Sequence, residues 1–127
     1  MAHHLLQVAY TADGWAALVK KPQDRLEAVR PVVARLGGSL DNAWLSFGDY
    51  DVVVLFQMPD NDGAAAFSMA LSAAGAVKAV KTTPLMTFAE GIEAMGKAAT
   101  TDYKPPTDEG IIGFWYTDGD TPSPSDY

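Results

Sequence analysis

The chain has 127 residues, 48% of them apolar, a formal charge of -7 and no cysteine. That length and apolar content suit one domain with its own core, and the missing thiols exclude disulfide staples, thiolate nucleophiles and cysteine-ligated metal centres. With no basic cluster beyond Lys20-Lys21, a surface that tracks the phosphates of nucleic acid or anionic lipid is not expected.

No apolar run approaches the ~20 residues of a membrane span, and the opening Met1 to Leu6 lacks a basic start followed by a long apolar segment, so a cytoplasmic protein without membrane contact is expected. From His3 to Tyr10 the residues alternate as a strand, with Leu6, Val8 and Tyr10 on one side and Leu5, Gln7 and Ala9 on the other. A loop or short helical turn carrying Trp15 and Leu18 leads to Pro22, placed at the first position of a helix. That helix bears Leu26, Val29, Val33 and Leu36 at helical spacing and stops at Gly37-Gly38. Pro31 inside it predicts a kink or a division into two pieces.

Ser39 to Phe47 and Asp51 to Met58 read as paired strands. Pro59 ends the second, and Asp60 or Asn61 caps a helix whose stripe is Ala64, Phe67, Leu71 and Ala74, closed by Gly75. A fourth strand follows from Val77 to about Thr83, then a capping-box pair, Thr87 and Glu90, before a short helix bearing Ile92 and Met95. After Thr100 the prolines, glycines and acids break every periodicity. The expected division is a domain over 1–98 and an acidic tail over 99–127. In that tail six acids stand against Lys104, a net of -5, leaving -2 on the rest. The order β-α-β-β-α-β with an extra helix predicts an α+β, ferredoxin-like antiparallel sheet with both main helices on one face.

Gly48 and Asp49 read as a two-residue hairpin loop of type II′, since its first central position needs positive φ. That turn dictates a register of Leu45 with Val52, Trp44 with Val53 and Asn42 with Leu55. One side, Ala43, Leu45, Phe47, Tyr50, Val52, Val54 and Phe56, is then a core face. The other holds Trp44, Val53 and Leu55, each worth roughly 1.5 to 3 kcal/mol if buried, and no helix of the unit covers it. A second copy is the natural lid, which predicts a homodimeric α+β barrel or a larger ring.

Several blocks resemble the GYD family of small bacterial and archaeal proteins. They are Arg25-Leu26-Glu27-Ala28 and Leu36-Gly37-Gly38; then Gly48-Asp49-Tyr50-Asp51 with Val52-Val53-Val54; then Pro59-Asp60, Ala65-Ala66-Phe67, Ala70-Leu71 and Gly75. Over residues 5 to 98 the resemblance implies a ferredoxin-like fold and a dimeric α+β barrel, with no assigned chemistry. Pro31 and the long tail depart from the family pattern.

As catalytic candidates, Asp51 is a possible acid or base and Tyr50 a proton donor beside it; the plainer reading has Asp51 accepting amides of its own turn and Tyr50 plugging the sheet end. Tyr10, Trp15, Trp44 and Phe67, with Met69, are candidates to line an apolar ligand cavity, or are plain core. His3 and His4 point to opposite faces and cannot readily grip one metal, so no metal site or cofactor is expected and the pair reads as a frayed or engineered terminus. The apolar segment 111–116 inside the tail should dock on the dimer as an edge strand, or serve as a recognition peptide for another protein. Two functions follow: a homo-oligomeric binding or assembly protein for a small apolar ligand, or a cofactor-independent oxygenase or isomerase in the same cavity. A regulatory ligand sensor ranks below both, since no DNA-binding partner domain accompanies it.

Overall fold

In the computed structural model, which describes residues 1–107, 110 and 111, strand β1 (Ala2–Tyr10) buries His4, Leu6 and Val8 on one side and leaves Leu5 and Gln7 half-buried on the other. It lies between β3 (Val52–Met58) and β4 (Val77–Leu85), and β2 (Ser39–Leu45) lies outside β3, so the antiparallel order is β2-β3-β1-β4. This is the ferredoxin-like arrangement of an α+β domain. Helices α1 (Ala12–Lys20) and α2 (Arg25–Arg35) make the first crossover and α3 (Asn61–Ala73) the second. Val33 of α2 and Ala64 and Phe67 of α3 join Leu6, Val8, Val54, Phe56 and Met58 in one core, so both crossovers cover the same face.

Two compact units divide at Thr87: the sheet with its three helices, and a second that begins with α4 (Phe88–Ala99) and includes the short pair β5 (Pro106–Thr107) and β6 (Gly110–Ile111). The expected docking segment 111–116 lies outside the described residues except for the strand position of Ile111. No helix among the described residues is long and apolar enough to cross a membrane.

Local chemistry moves several boundaries. Trp15 and Leu18 sit on the nine-residue helix α1, started by Thr11, whose hydroxyl accepts from the Gly14 amide at 3.0 Å. Pro22 is outside α2, because Asp24 takes the Leu26 amide at 2.9 Å and caps the helix there. Nor does Pro31 divide α2. It is exposed, so water can meet the Glu27 carbonyl that it leaves without a helical donor. Of the two candidates for the α3 cap, Asp60 is the one, accepting from Gly63 at 2.7 Å. The histidines are not frayed: His3 pairs with Gln57 and Leu85, while His4 is 3% exposed and stacks on Phe56 at 5.1 Å.

The hairpin register of Leu45 with Val52, Trp44 with Val53 and Asn42 with Leu55 is as the sequence dictates. Its loop is longer than two residues. Ser46 N–H to Asp51 O, at 2.7 Å, is the last rung, which leaves Phe47 to Tyr50 as the loop, with Gly48 at φ 156. Asp51 is drawn instead toward β1, where its amide donates to the Val8 carbonyl at 2.7 Å. As a result Phe47 is 98% exposed and Leu45 74%, not core.

Helix α2 ends in a Schellman arrangement: Gly37 N–H donates to Ala34 O and Gly38 N–H to Val33 O, both at 3.0 Å, with Gly37 at φ 81. A methyl group on Gly38 would strike the Gln57 carbonyl oxygen and come within 2.6 Å of the Met58 sulfur. Gly38→Ala should therefore cost about 1–3 kcal/mol in urea unfolding; an unchanged midpoint would mean that β2 approaches β3 less closely than described.

Candidate functional site

Neither helix of the first crossover seals the sheet beneath it. Helix α1 has no fully buried residue and α2 has only Val33. Between them and β2–β3 lies a cavity of about 710 Å³. Its walls are apolar: Leu18 and Val19 of α1, Leu26 and Val29 of α2, and Ala43, Val52 and Val54 of the sheet. Ala43 is small where a larger side chain would fill the space. Pro22, Gln23, Asp24 and Arg25, joining the two helices, supply the polar part of the lining.

Asp51 holds one end together. Its Oδ2 accepts from the Tyr10 backbone amide at 2.8 Å and from the Trp15 indole N–H at 3.2 Å. The Tyr10 and Trp15 rings meet edge to face at 5.3 Å, and both line the cavity. Thr11 N–H donates to Ala76 O at 2.9 Å, and Gly14 lies so near that carbonyl that a methyl group would be 2.7 Å from it. The start of α1 is thus pinned both to Asp51, beside β3, and to Ala76, beside β4.

Of the sequence candidates, Tyr10, Trp15 and Trp44 line the cavity, Trp44 being 50% exposed on the edge strand. Phe67 does not. It is fully buried in the core, edge-on to Phe56 at 5.2 Å, because α3 packs over the other half of the sheet. Met69 is 68% exposed. Asp51 does not cap its own turn; its carboxylate reaches across to β1 and α1. Tyr50 is half-buried and outside the lining, its carbonyl accepting from the Ser46 hydroxyl at 2.7 Å. The α1–α2 joint was missed as a lining element, although Leu18, Leu26 and Val29 had supplied the apolar signal. His4 was missed too: its Nδ1 is buried without a hydrogen-bond partner among the described residues.

No group of three or more His, Asp or Glu among the described residues is placed to hold a metal ion. The Tyr10 phenol is pushed above its ordinary value by burial, with Arg25 pulling it down and Asp51 adding to the rise.

The GYD domain profile matches residues 4–95. The chain belongs to the GYD domain family. The matched span includes Asp51, the carboxylate that ties β3 to β1 and α1. Among solved structures, this GYD domain protein is similar to TTHA0845 of Thermus thermophilus, with 15% identity, TM-score 0.46, and coverage of 68% of this chain and 95% of that one. FFRP-DM1 matches with 12% identity, TM-score 0.43, and coverage of 68% and 100%. The hypothetical protein PHS023 of Pyrococcus horikoshii matches with 11% identity, TM-score 0.45, and coverage of 68% and 92%. Curated proteins offered no match.

Asp51→Ala leaves the Tyr10 amide and the Trp15 indole without their acceptor. The expected loss is about 1–3 kcal/mol in denaturant unfolding, with a red shift of tryptophan emission as Trp15 loosens. Tyr10 gives a pH signature. The folded protein holds the phenolic proton more tightly than the unfolded chain, which releases it near 10.0. The associated stability is complete below that pH and is lost as pH climbs through the higher native value. Tyr10→Phe should lessen the alkaline loss of stability, read by urea unfolding at about pH 9 and about pH 11.

Proposed function

We propose that this GYD domain protein is a homo-oligomeric, cytoplasmic small-ligand-binding protein, and that the cavity between α1–α2 and β2–β3 receives an apolar molecule. The observation that carries this is the cavity itself. At about 710 Å³ it has the size of small-molecule sites, which run roughly 300–1,000 Å³, and it has the same make-up of apolar walls with a few polar groups. Asp51 supports binding over chemistry, since its Oδ2 already accepts from two donors. The second reading, a cofactor-independent oxygenase or isomerase, rests on Tyr10, a protonated phenol in the same lining.

The homo-oligomer rests on the other face of the sheet. Leu5, Val53 and Leu55 are half-buried there. None of the three helices of the sheet unit lies on that face. A second sheet would remove this apolar surface from water.

The neutral fluorophore N-phenyl-1-naphthylamine should bind saturably, one per chain, and Val29→Phe, which fills the cavity, should weaken it on the order of tenfold without loss of the fold. Absent saturation, or a variant that binds as well as the native chain, would overturn the site. For the assembly, light scattering should give twice the chain mass for the native protein and a single chain for Leu55→Glu. A native protein that stays single at micromolar concentration would overturn that half.

A further inference from the structure

Two aromatic rings meet in one wall of the cavity. Tyr10 and Trp15 both line it, both are half-buried, and their rings lie 5.3 Å apart at 79°. Such a contact uses the edge of one ring and a single face of the other, so each ring keeps a face that the pair does not use. Neither meets a third ring among the described residues. The pair is also fixed in place. Asp51 Oδ2 accepts from the Tyr10 amide and from the Trp15 indole N–H, which sets the backbone beneath one ring and the tilt of the other. The walls around them are aliphatic, with Leu26, Val29 and Val52 among them.

We infer that the ligand of this cavity is a flat aromatic molecule of two or more rings, one of them seated against the Tyr10–Trp15 pair. Because the two side-chain rings stand nearly at right angles, a flat ring laid parallel to one of them meets the other edge to face. Offset stacking and edge-to-face contact are the two arrangements that ring quadrupoles favour, and here one ligand ring makes both. A saturated ring gains only contact area. A quaternary ammonium ion also uses ring faces, but aliphatic walls do not offset the cost of stripping its water. Size sets the ring count: an apolar cavity of about 150 Å³ suffices for benzene, against about 710 Å³ here. Rings that Asp51 holds before the ligand arrives lose little freedom on binding, which favours affinity. The inference rests on the binding reading proposed above and adds the chemical class.

Displacement of N-phenyl-1-naphthylamine from the full chain compares naphthalene-2-methanol with decahydronaphthalene-2-methanol, the same skeleton without its π system. The saturated compound is the more apolar, so burial alone predicts that it displaces better. The aromatic compound should instead bind more tightly, on the order of fivefold. Trp15→Leu and Tyr10→Leu should each lower that ratio, and Tyr10→Phe, which keeps the ring, should preserve it. Tyr103→Leu, outside the lining and 75% exposed, should leave it unchanged. The comparison on the native chain stands whether or not a variant folds. Equal affinities, tighter binding of the saturated compound, or a ratio that survives both leucine variants would overturn the aromatic inference and leave the fluorophore its site. So would tighter binding of cyclohexyltrimethylammonium than of the naphthyl compound, or failure of both alcohols to displace the fluorophore. If N-phenyl-1-naphthylamine itself is refused, the binding reading fails and the inference with it.

Discussion

The carboxylate of Asp51 is the point on which the site depends. One side chain at the start of β3 accepts from the backbone at the end of β1 and from the indole of α1, while its own amide and carbonyl bond to Val8 and Ser46. The start of β3 is thereby held at one corner to β1 and α1, which lie 41 and 36 residues away in sequence. The sheet would exist without this contact, because the ladders of β1 with β3 and β4 do not use it. Helix α1, which supplies Trp15, Leu18 and Val19 to the cavity wall, would keep only its tie to Ala76.

That corner also explains why the cavity stays open. Helix α1 is fastened at its first turn, by Thr11, Gly14 and Trp15, and not by burial of its later residues. Leu18 is only half-buried and Val19 is 75% exposed. A helix held at one end by hydrogen bonds can stand away from a sheet; one held by packed side chains cannot, since interiors close to crystal-like density. The other half of the sheet shows the contrast. There Phe67 fills the space against Phe56, and small Ala64 lets α3 come close. A tight half supports the fold and a loose half provides the site.

The hairpin segment from Gly48 to Asp51 takes on a physical meaning in this light. Gly48 turns the chain with a positive φ, and Tyr50 lends its carbonyl to the Ser46 hydroxyl. Asp51 then reaches back across the sheet. The three residues act in succession to close the hairpin and anchor it, which is a structural service to the neighbouring cavity and does not need chemistry at Asp51 itself.

Much of the architecture was legible in the chain alone. Period-two alternation in β1 and β3, a cap at Asp60 or Asn61, the Gly37-Gly38 stop and the positive φ at Gly48 are local demands, so the order of elements and the hairpin register followed from neighbours in sequence. Tyr10, Trp15 and Trp44 could be named as cavity candidates alongside Phe67 by analogy with folds of this class, but their sequence left plain core as the alternative. What the chain could not reveal by itself were contacts between distant residues: Asp51 choosing Tyr10 and Trp15 over its own turn, Phe67 falling in the core instead of the cavity, His4 buried on Phe56, and the α1–α2 joint lining the cavity. Each of these depends on how closely a helix approaches the sheet, and that distance is decided by which side chains fill the gap, a property of the packed whole.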